Sequence, residues 1–106
     1  MKDKQRICYT FLIGDLFHYG HLKLLQQAKE VSDYHICGVV SDEAVKKWQS
    51  PMIANYDERK AVIENLICVD EVICQDSLDP TENLRLINKK FPESHLILFR
   101  SHYKWG

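Results

Sequence analysis

Apolar and polar positions along this chain fall into alternating blocks. Ile7-Cys8-Tyr9-Thr10-Phe11-Leu12-Ile13 is an apolar run rich in β-forming residues and is closed by Gly14-Asp15, which predicts a buried strand. Over residues 21–31 the apolar positions Leu22, Leu24, Leu25 and Ala28 recur at helical spacing. Residues 34–40 read as a second strand. Residues 42–48 read as a short helix capped by Ser41 or Asp42 and broken by Ser50-Pro51. A further helix is predicted over residues 57–66, with Ala61, Val62, Ile63 and Leu66 inward and Glu58, Arg59 and Lys60 outward. Residues 69–74 form a third strand. Residues 80–91 form a helix with Pro80 near its first turn and Leu84, Ile87 and Phe91 on one side, and residues 96–99 form a fourth strand.

Apolar strands alternating with amphipathic helices imply an α/β fold, a Rossmann-like parallel sheet with helices on both faces. In such sheets ligands sit beyond the carboxyl ends of the strands, where the strand order reverses. Attention therefore goes to the segments after Ile13, Val40, Cys74 and Phe99. With 106 residues there is material for one hydrophobic core, so residues 1–106 are expected to form a single domain.

Composition narrows the class. The chain is 45% hydrophobic and 27% charged, with a net charge of -1, which suits a globular domain and supplies no basic field to collect nucleic acid. No apolar run approaches a membrane span, and no long apolar stretch follows the charged start of the chain. Cys8, Cys37, Cys68 and Cys74 form no C-x-x-C pair and lie in or beside apolar segments. They read as reduced core thiols of a cytoplasmic protein.

The residues with chemistry follow the first strand: Gly14-Asp15-Leu16-Phe17-His18-Tyr19-Gly20-His21. His21 opens the predicted helix, where backbone N–H groups and the helix dipole favour an anion. Gly20 lets a phosphate approach the backbone, and imidazoles donate hydrogen bonds to phosphate oxygens. In nucleotidyl transfer, charge grows on the phosphoryl oxygens and the leaving pyrophosphate, so placed donors do most of the catalysis. The same residues also read as polar helix-start positions. As a metal pair they are two ligands short of a tetrahedral site. No P-loop and no G-x-G-x-x-G follows the first strand.

The run from Asp15 to Leu25, with its His18-Tyr19-Gly20-His21 core, resembles the signature of the cytidylyltransferases that act on glycerol phosphate, phosphoethanolamine and phosphocholine. These belong to the wider H-x-G-H nucleotidyltransferases. Val40-Ser41-Asp42-Glu43, Tyr56-Asp57-Glu58-Arg59-Lys60 and Val69-Asp70-Glu71-Val72-Ile73 keep the family order. The resemblance implies that CTP binds at the strand ends with Mg²⁺, the protein giving no direct metal ligands. An acceptor phosphate oxygen, from a phosphorylated alcohol or a phosphonate, then attacks the α-phosphorus and pyrophosphate leaves. It implies phosphate contacts and transition-state stabilisation by His18 and His21. Ile13, Gly14, Asp15, Gly20, Lys47, Arg59, Arg100 and Ser101 would make up the rest of the nucleotide site. It also implies a homodimer.

The sequence departs from the family pattern at several points. Leu12-Ile13-Gly14-Asp15 stands in place of Gly-Thr-Phe-Asp, and Gln49-Ser50 where many members carry a lysine. Lys46 or Lys47 would substitute for it, or else belong to a solvated helix face. Ile67 replaces the arginine of Arg-Tyr-Val-Asp-Glu-Val. Arg100-Ser101-His102-Tyr103-Lys104-Trp105 replaces a Gly-Asp-Asp-Trp-like block, and the family's C-terminal closing segment has no counterpart. Three readings therefore stand side by side: a CTP-using enzyme, a catalytically impaired binding or interaction module of the same fold, and an ATP-using adenylyltransferase.

Overall fold

A computed structural model of the chain describes residues 4–15, 17–47 and 53–99. The elements in order are β1 (Arg6–Leu12), α1 (Tyr19–Glu30), β2 (Tyr34–Val40), α2 (Asp42–Lys46), α3 (Tyr56–Glu64), β3 (Glu71–Gln75), α4 (Thr81–Lys90) and β4 (His95–Leu98). The four strands make one parallel sheet in the order β3-β2-β1-β4.

Side-chain alternation in β1 separates two cores. Ile7 and Tyr9 point to one face, where Ile36 of β2 and Ile87 of α4 complete a buried cluster with Leu84 and Phe91 against it. Leu12 points to the other face and packs with Cys37, Val39, Leu25 of α1 and Ile63 of α3. The sheet thus carries α1 and α3 on one face and α4 on the other, as the alternation of blocks predicts. Each fully buried aliphatic side chain contributes about 1.5–3 kcal/mol, so these two layers supply most of the driving force.

Tyr9 has a second role. Its ring lies across β2 at Gly38, where a Cβ would collide with the hydroxyl. The hydroxyl donates to Gln75 Oε1 of β3 (2.5 Å) and accepts from Asn83 Nδ2 of α4 (2.9 Å). Three strands and the helix beneath them are tied together by one buried phenol. Its burial pushes the phenol's pKa well above its ordinary value.

The chain moves outward from β1 to β2 to β3, and β4 then returns to the opposite side of β1. The reversal falls between the carboxyl ends of β1 and β4, which makes the segment after Leu12 the wall of the crevice.

Three expectations are corrected. Helix α1 starts at Tyr19, with His18 as its N-cap and His21 in its first turn, because the two imidazoles accept the backbone hydrogens that would otherwise leave the turn unpaired. Strand β3 starts at Glu71, two residues late: Cys68 and Val69 are buried in the turn before it, and the Asp70 N–H is held by the His35 carbonyl. On α3 the inward pair is Arg59 and Ile63, spaced i, i+4, while Ala61 and Val62 are exposed. The guanidinium turns inward because four oxygen acceptors meet there.

Candidate phosphate site at the strand ends

Gly14 leaves β1 with φ of 73°, a left-handed conformation that glycine adopts without strain. This turn brings Asp15 against the segment before α3. Its carboxylate accepts the N–H groups of Ile53 (3.1 Å) and Ala54 (3.0 Å). Asp15 is therefore a backbone clamp between the first loop and the start of α3.

Arg59 lies beneath this loop, 1% exposed. Nη1 donates to the carbonyls of Ile13 (2.6 Å), one residue past β1, and Val40 (2.8 Å), the last residue of β2. Nε donates to Ala54 O (3.2 Å), and Nη2 to Asp42 Oδ1 (2.7 Å). Asp42 Oδ2 in turn accepts the Tyr56 N–H (3.1 Å). Burial alone would push the Asp42 carboxyl up; the Arg59 and Tyr56 bonds outweigh it and hold the pKa below the usual range. The resemblance places Arg59 near the phosphates. In the structure its guanidinium is occupied by three carbonyls and one carboxylate, and it shapes the loop from below.

The histidines occupy the rim. His18 Nδ1 accepts the Gly20 N–H (3.0 Å), and His21 Nδ1 accepts the His18 N–H (3.1 Å), a reciprocal capping box at the start of α1. The ring centroids are 4.0 Å apart, and the Phe17 ring packs on His21 at 5.3 Å. Gly20 is needed because the His18 ring folds back over it; a Cβ there would lie 2.8 Å from His18 Cε1. Burial, helped by the neighbouring His18, lowers the pKa of His21 to about 4. His21 is therefore neutral at physiological pH.

Of the residues singled out in the sequence, Ile13, Gly14, Asp15, His18, Gly20 and His21 lie along one loop and helix start. Arg59 joins that loop through Ile13 O. Lys47 lies exposed at the end of α2. Arg100 and Ser101 lie outside the described residues, as do Trp48, Gln49 and Trp105. Among the described residues no group of three or more His, Cys, Asp or Glu side chains could hold a metal ion.

Two features escape a reading by periodicity. Asn55 and Glu58 form a second capping box, with Asn55 Oδ1 accepting the Glu58 N–H (2.9 Å) and Glu58 Oε1 accepting the Asn55 N–H (3.0 Å). The N-x-x-E spacing was the available signal. His35 is buried, with Nδ1 donating to Cys68 O (2.7 Å) and Nε2 paired with Thr10 Oγ1 (2.8 Å). Burial lowers its pKa.

An α/β domain with a helix N-terminus, a glycine turn and two imidazoles at the topological reversal has a nucleotidyltransferase-like fold. The cytidylyltransferase-like family profile matches residues 14–103, and the chain belongs to that family. It is 46% identical over 64 residues to a glycerol-3-phosphate cytidylyltransferase of Bacillus spizizenii, covering 60% of this chain and 50% of that one. It is 38% identical over 71 residues to an ethanolamine-phosphate cytidylyltransferase of Mus musculus, covering 65% of this chain and 18% of that one. The likeness to the bifunctional protein HldE of Campylobacter concisus is 35% over 94 residues, 87% of this chain and 19% of that one. The chain thus spans half or less of these relatives. The solved structure of a lipopolysaccharide core biosynthesis protein from Thermoplasma volcanium superposes with a TM-score of 0.67 at 18% identity, over 93% of this chain and 99% of that one. It shares the fold.

Two predictions follow from the geometry. Arg59→Ala leaves Asp42 and three carbonyls without their buried partner, so stability should fall by about 3–5 kcal/mol in urea denaturation. A loss below about 1 kcal/mol would contradict the pinning role. His21, folded near 4 against 6.5 as its ordinary value, stabilises the fold fully above pH 6.5, and this contribution is lost as the pH falls toward 4. Melting temperatures across that window should fall more steeply for the wild type than for His21→Asn; parallel curves would refute the shift.

Proposed function

We propose that this chain is the nucleotide-binding domain of a nucleotidyltransferase that moves CMP from CTP to a phosphorylated alcohol or phosphonate, releasing pyrophosphate. The observation that carries the reading is the paired imidazole cap at the start of α1, set on the strand-end crevice. An acceptor phosphate oxygen attacks the α-phosphorus of CTP, the new P–O bond forms, and the bond to the β-phosphate bridging oxygen breaks. The electron pair leaves with pyrophosphate. His18 and His21 donate to phosphate oxygens as charge grows on them, and the N–H groups of the helix start add to the same field. Asp15, Asp42 and Arg59 hold the loop rigid from beneath. Gly14 and Gly20 keep the backbone close to the phosphates, and Lys47, Arg100 and Ser101 are proposed as further nucleotide contacts.

Mg²⁺ is proposed to arrive with the triphosphate. Asp15 would not be a ligand, since its carboxylate accepts the backbone hydrogens of Ile53 and Ala54; magnesium is commonly held by substrate phosphates and water. The ion would neutralise triphosphate charge. The named relatives supply the acceptor class: glycerol 3-phosphate and ethanolamine phosphate stand in their names. A homodimer belongs to the same proposal on the family resemblance alone; Ile67, 99% exposed, replaces the family's arginine at its usual dimer contact and weighs against that contact. A cytoplasmic location suits the four free thiols, and no helix among the described residues is long and apolar enough to cross a membrane. An ATP-using reading stays in the test because the sequence is least typical of the family where Arg100-Ser101-His102-Tyr103-Lys104-Trp105 replaces its Gly-Asp-Asp-Trp-like block.

The test is pyrophosphate release from CTP or ATP with Mg²⁺ and a panel of phospho-alcohols, with sedimentation velocity on the same sample. Turnover with CTP that drops about 10²–10³-fold in His18→Ala and in His21→Ala is the expected result. Turnover with ATP alone moves the assignment to an adenylyltransferase. Nucleotide binding without turnover leaves a binding module, and a purely monomeric sample removes the dimer.

A further inference from the structure

We infer that His35 is a proton-sensitive latch on the turn before β3: the neutral ring holds residues 66–70 against β1 and β2, and a proton on that ring releases them. The latch lies away from the proposed nucleotide crevice and does not depend on it.

Three bonds from this one residue of β2 grip the turn. His35 Nδ1 donates to Cys68 O at 2.7 Å, the His35 N–H donates to Asp70 Oδ2 at 2.7 Å, and the His35 carbonyl accepts the Asp70 N–H at 2.9 Å. Between them Cys68 and Val69 are buried while Ile67 faces solvent. Residues 66–70 belong to no helix or strand, so they are the part of this packing that can yield without breaking the sheet. The same turn walls a groove of about 750 Å³ beside Leu22, Gln26 and Lys29 of α1, so its release reshapes that groove.

The bonds prescribe the protonation form. A carbonyl only accepts, so Nδ1 carries the hydrogen. Nε2 of the neutral ring is then bare and accepts from the Thr10 hydroxyl at 2.8 Å. A second ring proton would set Nε2–H against that hydroxyl hydrogen, and the hydroxyl would have to turn away. The imidazolium would also lack a counter-ion of its own. Asp70 is the carboxylate beside it, but Asp70 Oδ2 already accepts from Lys29 Nζ at 2.7 Å and from the His35 N–H. The Lys29 ammonium of α1 opposes a charge on the ring. Cys8 of β1, Cys37 of β2 and Cys68 of the turn are thiols whose pKa burial pushes up, so they stay neutral and offer no negative partner. Burial is the largest influence on His35 and lowers its pKa. A buried, unpaired charge is costly, and opening the turn relieves it by giving the ring to water. The contribution of the neutral ring is therefore full above the ordinary value of 6.5 and is lost as the pH falls below it toward the lowered value.

The test is thiol labelling of the whole chain with dithiodipyridine, which reacts in mild acid, followed by peptide mapping. Cys74 is exposed and serves as the reference, Cys68 reports the turn, and Cys8 and Cys37 report the sheet. The labelling rate of Cys68 relative to Cys74 should rise roughly tenfold from about pH 7.5 to about pH 5.5, the gain available when opening lets one histidine titrate at its ordinary value. Cys8 and Cys37 should stay protected throughout. In His35→Gln, which has no titrating ring, the ratio should not change with pH, whatever its level. A flat ratio in the wild type, an equal rise in His35→Gln, or labelling of Cys8 and Cys37 in step with Cys68 overturns the inference. Long-range ¹H–¹⁵N NMR of the wild type checks it without a variant. At neutral pH the His35 ring should show a protonated Nδ1 and a bare Nε2; the other tautomer, or a charged ring, overturns the latch.

Discussion

The site depends on a single buried guanidinium. Arg59 joins the carbonyl ends of β1 and β2, the turn before α3 and the carboxylate at the start of α2. A charge placed inside a protein costs several kcal/mol unless geometry and hydrogen bonds repay it. Here the repayment comes from four directed contacts, which only a planar fork of donors reaches at once. Lysine would supply the charge without the reach. The strand ends are therefore held at a fixed separation beneath Gly14 and Asp15.

Above that anchor, the polar groups of the proposed site also serve the scaffold. Asp15 and Asp42 both accept backbone hydrogens from the start of the α3 region, so these two acidic residues act as clamps. The imidazoles cap α1 while lying at its positive end. Rigid placement of donors before the substrate arrives is what makes electrostatic stabilisation effective, because no reorganisation is left to pay for. Tyr9, passing over Gly38 to Gln75 and Asn83, provides the same rigidity on the α4 face.

Much of this was legible in the sequence, and the rest was not for identifiable reasons. The apolar blocks of β1 and β2 and the stripes of α1 and α4 follow from burial, which periodicity reports directly. The histidine-glycine loop was visible because its residue types are unusual after a buried strand. Arg59 was read outward, since a charge on a helix is normally solvated; only the meeting of four oxygens from distant segments reverses that preference. Likewise His35 and Thr10 pair across two strands, a contact that no local pattern encodes. The late start of β3 reflects backbone hydrogen bonding between residues 35 and 70, again remote in sequence.

The capping box has a consequence for descent. Folding alone asks of positions 18 and 21 only a side-chain acceptor for the backbone of α1, a demand that asparagine or serine also meets. A lineage that gave up catalysis would be free to exchange the imidazoles for such caps. Within such a fold, retention of histidine where a plainer cap would serve points beyond the needs of the helix.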